Sequence, residues 1–342
     1  MWFHPETTDH LAKLLDIPPS SVGEAMGNDI RQTWVNNNYA MEGIVHRDEG
    51  ERHVDLWGIQ WEKVGHFNQI ADFPLEGATR EQILSYRFPS SHREELLMQM
   101  TPVVSDAAAW FIGCDVSPCV FEMYFRLRGM ADALLDMAND KDLAGEMLKR
   151  CADFSIELAE RACRRYPLDW LWTGDDVAGQ ESLMMSPSMW RELIKPQLQR
   201  VSDVGTSAGL WVAYHCCGSL RPIIGDLIEM GVDILNPIQC NCPGMDPLEL
   251  KKEFGRDLAF MGGVDTVNLL PHGSVADVRR STARLIEGVA SDGGYILAAS
   301  HTVPPETPDE NIFAMFSEAG VSKEQIFDRA AQIRQRPAPP PL

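Results

Sequence analysis

The sequence predicts an α/β barrel, on three observations. Nearly continuous apolar runs alternate with amphipathic helical stretches through the second half of the chain. The connections between them are short, as in a parallel sheet covered by helices. Polar, chemically active residues recur where the apolar runs end, which is where a (β/α)8 TIM barrel carries its active site. A chain of 342 residues is an ordinary size for one such barrel.

The elements read in order as follows. HPETTDHLAKLLDI and SSVGEAMGNDIRQTWV predict short helices, the first capped near Thr7 or Thr8. RHVDLWGIQWEKVG (52–65) alternates and is aromatic, as hairpin strands are. A helix opens near Thr79. Arg126 and Arg128, two apart, share a face if extended and would bind an anion, or else are solvated surface charge. LDWLWTGDD (168–176) and LWVAYHCCG (210–218) are strands, and helix SLRPIIGDLIEMG follows the second. Strand VDILNPIQ (232–239), helix DPLELKKEFG, strand LAFMGGVDT (258–266), helix SVADVRRSTARLIEGVA, strand GYILAASH (294–301) and helix PDENIFAMFSEAG complete the rhythm. The expected organisation is an N-terminal helical extension over 1–50, a barrel over 51–330 and a flexible Pro-rich tail over 331–342. No GxGxxG or GxxxxGK[ST] loop follows any strand, which weighs against a dinucleotide-binding sheet.

A formal charge of −20 and a sequence pI of about 4.8 repel phosphate backbones, so nucleic acid is not expected as a partner. No run approaches the ~20 apolar residues of a membrane span. MWFHPETTDH lacks the basic start and apolar stretch of a secretory signal. A cytoplasmic location is therefore expected, in which the 8 cysteines serve as thiols or metal ligands. Cys114, Cys119, Cys151 and Cys163 are scattered and read as buried thiols.

In WVAYHCCGSL, strand alternation puts His215 and Cys217 on one side and turns Cys216 toward the helices. Imidazole and thiolate together begin a zinc site, and catalytic zinc usually takes a third protein ligand. The candidates are His301 and Cys240, at the ends of later strands. Cys242 is less suited, since Pro243 turns the chain away. Two plainer readings stand beside this one. In one, His215 is a satisfied core histidine and Cys217 a buried thiol; in the other, Cys240, Cys242 and the Cys216/Cys217 pair hold a structural zinc. Asp175 and Asp176 at the barrel mouth are candidate general acids or bases, or partners of a ligating histidine, with helix capping the alternative. Gln239 and Asp265 either bind substrate or satisfy loop backbone, and Trp172 and Met184 either line an apolar pocket or fill the core.

The stretches YHCCGSLRPIIGDLIEMGVDILNPIQ, MDPLELKKEFGRDLAFMGGVDT and GGYILAASHTVPPETPDENIFAMF resemble the uroporphyrinogen decarboxylase superfamily, and within it the cobalamin-related methyltransferase branch. LWTGDDVAGQESLMMSPSMWRELIKP and FEMYFRLRGMADALLDMAND extend the resemblance, which covers roughly residues 50–320. It implies a (β/α)8 barrel. In the methyltransferase members, an HxC pair and a Cys after the last strand hold zinc, so it implies His215 and Cys217 as ligands. Where those members read CGxPP, this chain reads His301-Thr302-Val303-Pro304-Pro305; histidine also ligates zinc, whereas the superfamily's decarboxylases carry a histidine there without metal. The implied activity is methyl transfer between a small methylated substrate, or a thiol- or folate-type acceptor, and a corrinoid (cobalamin) carried by a partner protein. This chain has no DxHxxG cobalamin signature of its own. A homodimer is expected. Asp175, Asp176 and Gln239 would be catalytic, and Trp172, Arg126 and Asp265 would bind substrate. The alternatives are a metal-free decarboxylase-like lyase and a non-catalytic barrel acting as a binding subunit. The lyase would need carboxylate-binding cations, yet the RQAGRY-type segment is missing and the candidates are few, such as Arg126, Arg128 and Arg221.

Overall fold

The structure is a computed structural model and describes residues 2–36 and 48–336. Seven parallel strands form the main sheet: β1 (Ile30–Trp34), then β5 (Phe111–Asp115), β6 (Trp170–Gly174), β7 (Trp211–His215), β8 (Ile234–Ile238), β9 (Ala259–Val264) and β10 (Tyr295–Ala299), side by side in that order. Between β1 and β5, β2 (Arg52–Val54), β3 (Gln60–Val64) and β4 (Phe67–Asp72) make a separate antiparallel sheet. The hairpin expectation holds for β2 and β3, and β4 extends it.

Strand alternation divides the core in two. Leu171, Val212, Leu235 and Phe260 face the helices in the large core. Their neighbours Trp170, Trp172, Ala213, Ile234, Met261 and Ala298 form a second cluster, joined by Ile30, Phe111 and Ile296. The outermost strands, β1 and β10, thus feed one inner cluster, so the sheet curls round on itself as in a TIM-like barrel. The eight strands expected number seven among the described residues. Chain segment 2–4 lies beside the loop after β10: Phe3 and Val303 form a parallel bridge, the His4 N–H donates to the Val303 carbonyl at 3.0 Å, and the Val303 N–H donates to the Trp2 carbonyl at 3.0 Å.

Several expectations are corrected. The boundary at 50/51 does not divide the chain, because Ile30–Trp34 is a sheet strand paired with β5. The helical reading of its sequence fails because IRQTW is partly buried along its whole length and finds its partners across the sheet. The first helix, Pro5–Leu15, is capped by His4, whose Nδ1 accepts from the Glu6 N–H; Thr7 instead donates its hydroxyl to the Val303 carbonyl. Arg126 and Arg128 lie in the helix Phe121–Arg128, where residues two apart point to different sides. Arg128 is buried against Asp132 and Asp136, so neither the shared strand face nor the solvated surface describes it. The helix opening near Thr79 is present, with a capping box between Thr79 and Gln82. The tail beyond residue 336 lies outside the described residues. No helix among the described residues is long and apolar enough to cross a membrane.

Candidate metal centre

β7 ends at His215, on the inner parity it shares with Ala213. Gly174 of β6 is its lateral partner; a Cβ there would lie 3.1 Å from the His215 Cβ, so glycine makes room for the histidine. The chain then turns at Gly218 (φ +92°), where a Cβ would approach the Gly179 carbonyl oxygen to 2.3 Å. Cys217 lies in this loop beyond the strand end, not at a strand position as alternation predicted. Two side chains from other loops pin it: Asp176 accepts the Cys217 N–H at 2.8 Å, and Gln239 accepts the Gly218 N–H at 2.8 Å.

The ligating atoms of His215, Cys217 and His301 all lie within 4.8 Å of one another. The His215 Nε2 and Cys217 Sγ are 3.7 Å apart. Tetrahedral zinc with ordinary bond lengths separates a nitrogen and a sulfur ligand by about 3.6 Å, so this pair fits the metal as it stands. Asn236, buried next to His215 across the sheet, has its Oδ1 2.8 Å from His215 Nδ1. An Nδ1–H donated to that oxygen leaves the Nε2 lone pair aimed at the cluster, the usual arrangement behind a metal-bound imidazole. His301 is accessible from the cavities beside it, yet the protein packed around it, with His215 nearby, pushes its pKa down to about 4. At neutral pH its ring is uncharged and can ligate.

Cys216 points away, fully buried, with its thiol pushed up by burial. Cys240 is not part of the cluster among the described residues; burial lifts its thiol to about 11. It is therefore not the third ligand in this arrangement, and among the described residues no knuckle of Cys240, Cys242 and the Cys216/Cys217 pair forms.

Two cavities meet at the cluster. An outer one of about 580 Å³ is lined by Gln180, Cys217, Gly218, Gln239, Val267, His301 and Pro304. An inner chamber of about 360 Å³ is lined by Trp34, Trp61, Glu122, Arg126, Trp172, Asp176, His215 and His301. Among the residues expected at the site, Trp172, Arg126 and Asp176 reach the chamber and Gln239 reaches the outer cavity. Burial and then the Glu122 carboxylate raise Asp176 to about 6. Arg126 is tied to Glu122 at 2.6 Å, and Glu122 in turn accepts the Asp176 N–H at 3.1 Å. Asp175 and Asp265 line neither cavity. Asp175 turns into the helical layer and accepts the N–H groups of Val120, Phe121 and Glu122, at 3.1, 3.0 and 2.7 Å. It caps the helix Phe121–Arg128 from another strand; burial pushes its carboxyl up to about 8 against those donors. Asp265 accepts from the Val267 and Asn268 N–H groups and shapes the turn into Leu269–His272. Met184 lines neither cavity and packs against the large core.

Asn236, Glu122, Trp34 and Trp61 are site residues that sequence reasoning missed. The signal for Asn236 lay in ILNPIQ, a polar residue inside a buried strand.

Residues 91–320 match the family model for uroporphyrinogen decarboxylase (URO-D). The chain belongs to the URO-D family. Curated URO-D relatives include the uroporphyrinogen decarboxylases of two strains of Thermus thermophilus, at 28% and 27% identity over 131 residues. Those matches cover 37% of this chain and 35% of theirs, so the alignment spans about a third of these relatives. In fold, this URO-D chain is similar to a methyltransferase from Methanosarcina mazei, with a TM-score of 0.64 at 18% identity, covering 92% of this chain and 85% of that one.

Proposed function

We propose that this URO-D family chain is a zinc-dependent methyltransferase that moves a methyl group between a small methylated substrate, or a thiol- or folate-type acceptor, and a corrinoid held by a partner protein. The observation that carries this reading is the convergence of His215, Cys217 and His301 at the junction of two cavities. His215, Cys217 and His301 would hold the metal, which when bound supplies a Lewis acid that lowers the pKa of a thiol or stabilises a leaving heteroatom. Asn236 orients His215, Asp176 and Gln239 fix the Cys217–Gly218 turn, and Trp172 walls the chamber. The fold likeness to a methyltransferase supports the same reading.

A metal-free decarboxylase-like lyase is the second reading, favoured by the names of the Thermus relatives. Chamber charge weighs against it. Among its described lining residues Arg126 is the one Lys or Arg, and Glu122 neutralises it, so a substrate with many carboxylates finds no grip.

Metal analysis of protein purified without added zinc separates the readings. About one zinc per chain is expected, lost in Cys217→Ser and His301→Ala and retained in Cys240→Ser. Folded, metal-free wild-type protein would sink the methyltransferase proposal. Co-purification of a corrinoid protein tests the partner.

A further inference from the structure

The inner chamber is lined largely by aromatic side chains. Six aromatic side chains line it: Trp2, Trp34, Trp61, Phe67, Phe125 and Trp172. Trp2 and Trp172 stand perpendicular, with ring centroids 5.1 Å apart. Walls meeting at a right angle form a corner, which suits a compact tetrahedral group; a flat ring would need parallel faces. Among the described lining residues, Glu122 and Asp176 supply two carboxylates against the one guanidinium of Arg126, an excess of one negative charge. One cation already rests on an indole here: the Arg126 guanidinium carbon lies 5.7 Å from the centroid of the Trp61 ring. Aromatic faces with a carboxylate behind them attract alkylated cations through the ring quadrupole, while the methyl groups satisfy the apolar surface.

We infer that this chamber recognises a small methylated onium centre, a quaternary ammonium or tertiary sulfonium group bearing the methyl groups. A methylated onium is the substrate class that follows for the transfer proposed above. The assignment as substrate rests on that reading, whereas the binding itself does not. A volume of about 360 Å³ fits a small ligand of this kind. The trimethyl head would sit among the rings, beside the His215 and His301 edge where both cavities meet.

The test is a calorimetric titration of the full chain with choline and with 3,3-dimethylbutan-1-ol, its neutral isostere. Choline is expected to bind about tenfold more tightly or better, and to do so equally in Cys217→Ser, which lacks a metal ligand. Trp34→Leu is expected to lose about tenfold in choline affinity while leaving the isostere unchanged; Trp34→Phe, which keeps a ring, retains most of it. Tetramethylammonium and trimethylsulfonium then distinguish the heteroatom: either one binding above the isostere supports the site, and the tighter one assigns it. Equal binding of choline and its isostere, no binding of either, or tighter binding of methoxybenzene overturns the inference. A chamber that binds choline in a protein that holds no zinc overturns the methyltransferase reading alone.

Discussion

At the scale of single residues, the proposed metal centre would depend on side chains that never touch a metal. Asn236 fixes which nitrogen of His215 is available, through one contact of 2.8 Å inside the sheet. Asn236→Ala is expected to weaken zinc about 10- to 100-fold with the fold intact, measured by competition with a chromogenic chelator. Asp175 works differently. Its three backbone donors make it a structural cap, so Asp175→Ala should cost about 3 kcal/mol in denaturant unfolding, and Asp175→Asn less, since one acceptor remains. A stable but inactive Asp175→Ala protein would instead return this residue to the chemistry. The clustering of His215, Cys217 and His301 follows the HxC spacing and strand-end position read from the sequence, but β7 ends at His215, so Cys217 is placed by the loop beyond the strand rather than by alternation along it. Asn236 was not legible in the sequence, because its role comes from register: it lies opposite His215 only once β7 and β8 pair. Arg126 was misread because a charged residue two positions from another carries no mark of helix or strand by itself.

At the scale of elements, β7 is held between helices clamped to each other. Asp226, on the helix Ile224–Glu229 that follows β7, accepts from Arg191 at 2.9 Å and from Lys195 at 2.7 Å, on the helical stretch that precedes β7. Although burial acts the other way, the guanidinium and the ammonium hold the Asp226 carboxyl below its ordinary value. A depressed folded pKa gives stability that is fully present above the unfolded value and is lost as pH falls through the folded one. Asp226→Asn should therefore cost about 1 kcal/mol at pH 7, and the difference from wild type should shrink as pH falls below the ordinary aspartate range of about 4 in urea titrations. The later strands and helices were readable because their apolar runs are long and regularly punctuated. β1 was not, since a short strand such as IRQTW, with a mixed face, is defined by its neighbour β5 rather than by its own pattern.

At the scale of the whole molecule, chain segment 2–7 ties the loop after β10 to the helix beyond it and to the antiparallel sheet. Phe3 stacks on Phe316 at 6.3 Å, and Thr7 donates to the Val303 carbonyl at 3.0 Å. Glu6 reaches Lys63 and His66, at 3.3 and 3.0 Å, and so ties the antiparallel sheet to the same place. Because Trp2 walls the chamber and Val303 follows His301 by two residues, this staple supports the site as well as the fold. Phe3→Ala is expected to cost about 2 kcal/mol and to speed proteolysis of the first residues, with zinc lost at a lower chelator concentration than in wild type.

The same staple dictates an order of assembly. Thr7 and its acceptor at Val303 are 296 residues apart in the chain. During translation the first residues emerge long before their partner exists, and at ordinary synthesis rates the wait lasts many seconds. Through that interval the loop after β10 that pairs with segment 2–4 does not yet exist, and Ile296 and Ala298 of β10 have not joined the inner cluster. The nascent chain thus leaves that cluster incomplete until its last strand and the loop beyond it are made, and His301, which lies in that loop, is the last of the three candidate ligands to emerge.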